Sequence, residues 1–186
     1  IVQFASQNYH MITFRNIEPE DIEVINSKLQ SQNYRASDLC FTNLYAWGKK
    51  FNTQFAVTDD WLFIRFKDNN GRNSYLKPIG TGDIKEGIEI ILNDHNQFDT
   101  VFQIRGMTKE MVDELEAAYP NTFNFKLNRS VSDYIYTVDK LRELKGKKLQ
   151  SKRNHINRFK RENEWKYKTL TNNPELVKEC KAMLDK

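Results

Sequence analysis

Long apolar runs are missing from this 186-residue chain: the longest, Leu44–Trp47 and Trp61–Ile64, have four residues each. A helix that crosses a bilayer needs about 20 apolar residues, so none is expected. No basic stretch followed by an apolar one opens the chain, so no secretory signal is expected either. Residues 1–11 read as an N-terminal extension ahead of the first element. Cysteine is scarce. Cys40 and Cys180 form no Cys-x-x-Cys pair and no zinc spacing, and both fall in apolar-periodic stretches, which predicts buried thiols in a reducing compartment. The three histidines, His10, His95 and His155, are scattered, with no His-Glu-x-x-His and no Gly-x-Ser-x-Gly. No metal centre and no nucleophile–base pair is therefore expected, and no catalytic residue is assigned. Seven glycines and four prolines exclude collagen-like and low-complexity chains, while 39% hydrophobic residues suffice for a core.

The charge is unevenly spread. The formal net charge is +4, yet twelve Lys and Arg between Lys140 and Lys168 face three acids, a local +9 that leaves −5 on the rest. Such a block predicts a polyanion partner; the plainer alternative is a solvated helical face.

Ile12–Arg15 reads as a strand, and Pro19 opens a helix carrying Ile22, Ile25 and Leu29. Ser37 is placed to cap a second helix with Leu39, Cys40, Leu44 and Trp47, ending at Gly48. Strands are predicted over Thr53–Thr58, Trp61–Lys67 and Ser74–Lys77, with the turn Asp68-Asn69-Asn70-Gly71 between the last two. A helix follows Asp83 (Ile84, Ile88, Ile91, Leu92), then a strand at Thr100–Arg105. A helix capped by Thr108 carries Met111, Val112, Leu115 and Tyr119, and Pro120 ends it. Further strands are predicted over Phe123–Leu127 and Val131–Val138. Beyond them come helices Asp139–Lys145 and Lys147–Asn163, a strand Trp165–Leu170, and a helix from Pro174 with Leu176, Val177, Cys180 and Met183. This last strand–helix pair repeats the opening of the chain and cannot bury its apolar face alone.

The order of elements up to Val138 resembles the GNAT acyltransferase fold, an α+β fold with a mixed, mostly antiparallel sheet flanked by helices. The resemblance implies a first GNAT-like domain over 12–138, a basic interdomain helical segment over 139–164, and the start of a second, truncated domain over 165–186. In that family the loop after the fourth strand reads Gln/Arg-x-x-Gly-x-Gly/Ala and cradles the pyrophosphate of acetyl-CoA. Here it is Lys77-Pro78-Ile79-Gly80-Thr81-Gly82. Glycines let backbone approach an anion, and N–H groups at a helix start attract one. Lys77, Gly80, Thr81 and Gly82 are accordingly the cofactor-binding candidates. Asp83 competes for the same donors, and an ordinary capped turn is the alternative.

Two further motifs, Asp38-Leu39-Cys40-Phe41-Thr42-Asn43-Leu44-Tyr45-Ala46-Trp47 and Lys152-Arg153-Asn154-His155-Ile156-Asn157-Arg158-Phe159, together resemble an uncharacterised bacterial family related to the phosphatidylglycerol lysyltransferase C-terminal domain. The resemblance implies a transferase of aminoacyl or acyl groups, with acyl-CoA or aminoacyl-tRNA as donor. It implies a protein of the cytoplasm, peripheral to the membrane at most. On a helix, Asn154, Arg158 and Arg161 share one stripe, and Arg153, Asn157 and Lys160 the next. Lys152, Arg153, Asn154, Asn157, Arg158 and Arg161 are the polyanion-binding candidates, with tRNA or an anionic lipid surface as partner of residues 140–168. A non-catalytic binding module and an RNA-binding protein working through the basic helix alone are the alternatives.

Overall fold

The computed structural model describes residues 12–184, which divide into two units between Asp133 and Tyr134. The expected extension over 1–11 lies outside the described residues. In the first unit, β1 (Arg15–Asn16) precedes a 3-10 turn (Pro19–Asp21) and three helices, α1 (Ile22–Leu29), α2 (Phe41–Ala46) and α3 (Gly48–Phe51). Then come β2 (Gln54–Val57), β3 (Trp61–Lys67), β4 (Asn73–Leu76), β5 (Ile79–Gly80), α4 (Ile84–His95), β6 (Ile104–Arg105) and α5 (Lys109–Ala118). The sheet runs β1-β2-β3-β4-β6, with β5 also on β3; every pairing is antiparallel except β4 with β6. This is an α+β fold with a mixed sheet flanked by helices, as expected.

The central strand explains the layers. Successive side chains of a strand point to opposite faces. Leu62 and Ile64 of β3 pack with Ile25 of α1 and Leu44 of α2, whereas Trp61 and Phe63 pack with Ile88 and Ile91 of α4 and Leu115 of α5. Both faces of β3 are covered, which is why its first four residues form an unbroken apolar run.

β4 and β5 are two halves of one interrupted strand. Arg65 pairs with Tyr75, but Leu62 pairs with Ile79, so the second strand carries one residue more than β3 over this stretch. The excess is a β-bulge at Lys77-Pro78, where proline supplies no ladder N–H. It switches the alternation: Leu76 and Ile79 both enter the Ile25–Leu44 face.

The turn after β3 is held from inside. Asp68 Oδ1 accepts from the N–H groups of Asn70 (2.8 Å) and Arg72 (3.0 Å), and Oδ2 pairs with Arg72 and with Arg105 of β6, both at 2.9 Å. Burial pushes this carboxyl upward, but the Arg72 and Asn70 N–H groups and the Arg72 guanidinium outweigh it and hold it below the usual carboxylate range. A depressed carboxyl stabilises the fold fully above the unfolded-state value, about pH 4, and loses that contribution as pH falls below it. Thermal melts should therefore fall as pH drops below about 4, and Asp68→Asn should remove part of that fall. An unchanged acid profile in the variant would exclude Asp68 as a source.

Several expectations need correction. No strand forms over Phe123–Leu127 or Val131–Val138; the chain runs as loop with a 3-10 turn at Arg129–Val131, until a helix begins at Val138. Leu127, Val131 and Tyr134 are largely exposed. Strand propensity is realised only against a neighbouring strand and a covered face, and these residues have neither. The strand expected at Thr100–Arg105 shortens to Ile104–Arg105. Cys40 and Cys180 are exposed. Cys40 sits on extended backbone just before α2, with Sγ donating to the Ser37 carbonyl at 3.3 Å. The helix expected from Ser37 starts only at Phe41, because Ser37 turns to Asp133 instead.

The second unit contains α6 (Val138–Glu143), a 3-10 turn (Lys147–Leu149), α7 (Gln150–Glu162) and α8 (Pro174–Leu184). Thr137 caps α6 through the Lys140 N–H. Among the described residues of this unit, the buried apolar side chain is Leu149. Val177 and Met183 of α8 are exposed, as are Trp165, Tyr167 and Leu170. The strand expected over Trp165–Leu170 is absent, since no strand of this unit is present among the described residues to pair with it.

Candidate functional site

In the loop Lys77–Asp83 the structure shows packing neighbours and hydrogen-bond partners within the protein. The bulge turns Lys77 inward: its side chain is 4% exposed, with Nζ 2.9 Å from a Glu114 oxygen and 3.2 Å from the Tyr34 hydroxyl. A Cβ on Gly80 would lie 1.8 Å from the Asp60 carbonyl oxygen, and one on Gly82 would lie 2.7 Å from the Trp61 indole nitrogen. These glycines admit the hairpin backbone and the Trp61 ring. The Thr81 N–H is directed to the Asp60 carbonyl at 3.3 Å. Asp83 accepts from the Lys85 N–H at 2.9 Å and caps α4.

The motif from Ser37 to Trp47 ties a loop to a helix. Ser37 donates from N and Oγ to Asp133 at 2.7 and 2.9 Å, and the Asn43 amide donates to the Ser37 carbonyl at 2.8 Å. Leu44 is core, whereas Trp47 is half exposed. Burial, then the nearby Asp133 charge, raises the Asp38 carboxyl above its ordinary range.

The basic segment of the second unit offers the more open surface. On α7, Lys152, Asn154, Asn157, Arg158 and Arg161 are all exposed. The side chains of Asn154 and Asn157 have no hydrogen-bond partner among the described residues, while Arg158 and Arg161 share one carboxylate, Glu162, at 2.9 and 3.2 Å. Exposed ion pairs are worth about 0–1 kcal/mol, so an incoming phosphate competes readily for both guanidinium groups. Lys152 lies over the Tyr136 ring (5.6 Å to centroid) and Lys160 over Trp165 (5.3 Å). Ile156 and Phe159 add exposed apolar surface between the charges. Arg153 is differently placed. Its guanidinium donates to the Leu144 carbonyl and, at 2.9 Å, to that of Gly146, so it braces the turn ahead of α7.

One feature was not readable from the sequence. A cleft of about 360 Å³ is lined by Lys140, Lys145, Lys147 and Lys148, together with Tyr136 and Leu149. The one signal for it was the break at Gly146, whose φ of 90° and the 49° of Leu144 fold the lysines to one side. Among the described residues no three His, Cys, Asp or Glu gather as a metal site, and no helix is long and apolar enough to cross a membrane.

Comparison with known proteins gives two matches. A crystal structure of a conserved protein of unknown function from Bacteroides thetaiotaomicron VPI-5482 is similar to this chain, with a TM-score of 0.78 and 35% sequence identity over 94% of it. The chain spans 58% of that protein's length. No curated protein matches. The family model described as phosphatidylglycerol lysyltransferase, C-terminal, matches residues 30–186. That span takes in the Asp38–Trp47 motif, the lysine-lined cleft and all of α7, and the chain belongs to this family.

Proposed function

We propose that this chain is part of a transferase that moves an aminoacyl or acyl group from an activated ester or thioester to an amine or hydroxyl. In this reading residues 12–138 are a first GNAT-like domain, 139–164 a basic segment, and 165–186 the start of a second domain. The nucleophile forms the new acyl bond, the donor's C–O or C–S bond breaks, and the nucleophile's proton leaves with the donor oxygen or sulfur. Catalysis rests on positioning and on stabilising the tetrahedral oxyanion. The observation that carries the reading is the exposed Asn154–Arg158–Arg161 stripe of α7 in a member of this family. The stripe holds a polyanionic donor, tRNA before an anionic lipid surface, because neutral amides among guanidinium groups read backbone geometry as well as charge.

Binding of tRNA should weaken steeply with salt, by a log–log slope of about 0.7–0.9 per phosphate engaged. Arg158→Gln with Arg161→Gln should weaken it about tenfold and flatten the slope by about 1.5. Asn154→Ala should weaken tRNA binding more than binding to anionic vesicles. Filter binding across a salt series reads all three. Absence of salt-dependent binding to either partner would remove the stripe from the proposal. A second reading, a non-catalytic binding module, draws on the loop, where Lys77 and Asp83 are already engaged within the protein. Calorimetry with acyl-CoA and transfer from labelled aminoacyl-tRNA separate the two: turnover with either donor excludes the module.

A further inference from the structure

The lysine-lined cleft lies apart from the α7 stripe in its chemistry. Lys145 has a carboxylate partner, Glu143 at 2.9 Å; Lys140, Lys147 and Lys148 have none among the described residues. Like charges gathered around one concavity repel, and an anion bound among them removes the repulsion.

The backbone adds to this. Arg153 draws the Leu144 and Gly146 carbonyls toward α7. The N–H groups of Lys145, Gly146, Lys147 and Lys148 find no acceptor among the described residues. All four residues line the cleft, and the last two open the helical run 147–162, whose start carries partial positive charge.

The remaining wall is apolar. Leu149 is buried at its base, and the Tyr136 ring is partly open. A site for bare phosphate needs neither. The volume, about 360 Å³, is at the small end for ligand pockets, which start near 300 Å³.

We propose that this cleft binds an organic phosphate ester. Its phosphate sits on Lys140, Lys147 and Lys148, and its apolar or aromatic substituent sits against Tyr136 and Leu149. The site goes beyond the transfer reaction: it holds whether or not the chain is catalytic, and its test reads binding alone. A nucleotide and a phospholipid headgroup share this chemistry, and the experiment tells them apart.

The 15N-labelled chain is titrated with adenosine 5′-monophosphate, with a short-chain glycerophospholipid below its micelle concentration, and with inorganic phosphate. The amides of Gly146, Lys147 and Lys148 should shift, and one of the two esters should bind at least tenfold more tightly than inorganic phosphate. Which ester wins names the source. Lys147→Gln with Lys148→Gln should weaken the preferred ester at least tenfold. Tyr136→Ala should weaken that ester and leave inorganic phosphate unchanged. Arg158→Gln with Arg161→Gln should leave the cleft unaffected, so failure of the tRNA surface and failure of the cleft are separable. Should the double lysine variant not fold, Lys140→Gln on α6 replaces it. Equal binding of all three probes, or no shift at Gly146–Lys148 with any of them, overturns the proposal.

Discussion

Replacing Asp94 by alanine should destabilise the first unit by about 3–5 kcal/mol, the usual result of removing one partner from a buried ion pair. The Arg65 and Asp94 side chains are 14% and 7% exposed. Arg65 Nη1 donates to both Asp94 oxygens at 2.9 Å, and the Tyr75 hydroxyl donates to the same carboxylate at 2.6 Å. Burial first, then Asp94, holds the Tyr75 phenol far above its ordinary value, so it remains a donor at any ordinary pH. Arg65 also reaches Gln54 Oε1 at 2.7 Å, and its guanidinium lies over the Phe14 ring, 4.3 Å from the centroid. Alanine leaves a guanidinium and a phenol buried without their acceptor. Urea unfolding should show the loss, and the thermal midpoint should drop by about 10 °C or more. Changing Arg65 and Asp94 together to leucine should cost less than Asp94→Ala alone, since no orphaned charge remains. A loss under about 1 kcal/mol in Asp94→Ala would mean that water solvates Arg65.

Gly80→Ala should destabilise by about 3 kcal/mol, the upper end for overpacking. The clash at 1.8 Å is with the Asp60 carbonyl oxygen, which is backbone. Relief requires separating β5 from β3, which pair at Trp61 and Gly80. Gly48→Ala is the control: nothing lies within 4 Å of its added Cβ, so it should be neutral or stabilising by about 0.4–1 kcal/mol. Thermal melts of the two variants decide the matter. A Gly80→Ala protein of unchanged stability would show that the loop backbone is free to move, as a ligand-accepting loop requires.

Much of the first unit is legible in the chain. The run Trp61–Ile64, the caps Asp83 and Thr108, and the stripes Ile88–Ile91 and Met111–Leu115 place a central strand and two helices where they are found. Lys77 shows where legibility stops. Beside Gly80 and Gly82 it resembles a phosphate ligand, but the direction of its side chain depends on the one-residue register shift between β3 and the β4–β5 strand. Register is a long-range property, and a slip of one residue reverses the face. Helical spacing places Arg153 on a polyanion-binding stripe with Asn157 and Lys160, yet the carbonyls of a turn seven to nine residues earlier claim it.

Local pattern determined the mixed α+β class, the helix starts capped by Asp83 and Thr108, the turn at Asp68–Gly71 and the concentration of positive charge after Lys140. These follow from propensity, periodicity and composition, which act over a few residues. Tertiary structure alone decided which apolar segments became strands, that both cysteines stayed exposed, and which lysines were buried or gathered around a cleft. Phe123–Leu127 and Val131–Val138 have strand-like composition but no neighbour to take their hydrogen bonds, so they remain loop apart from the turn at Arg129–Val131 and the start of α6 at Val138. Burial and hydrogen-bond pairing require a second segment at the right place, and that segment's position is set by the whole chain.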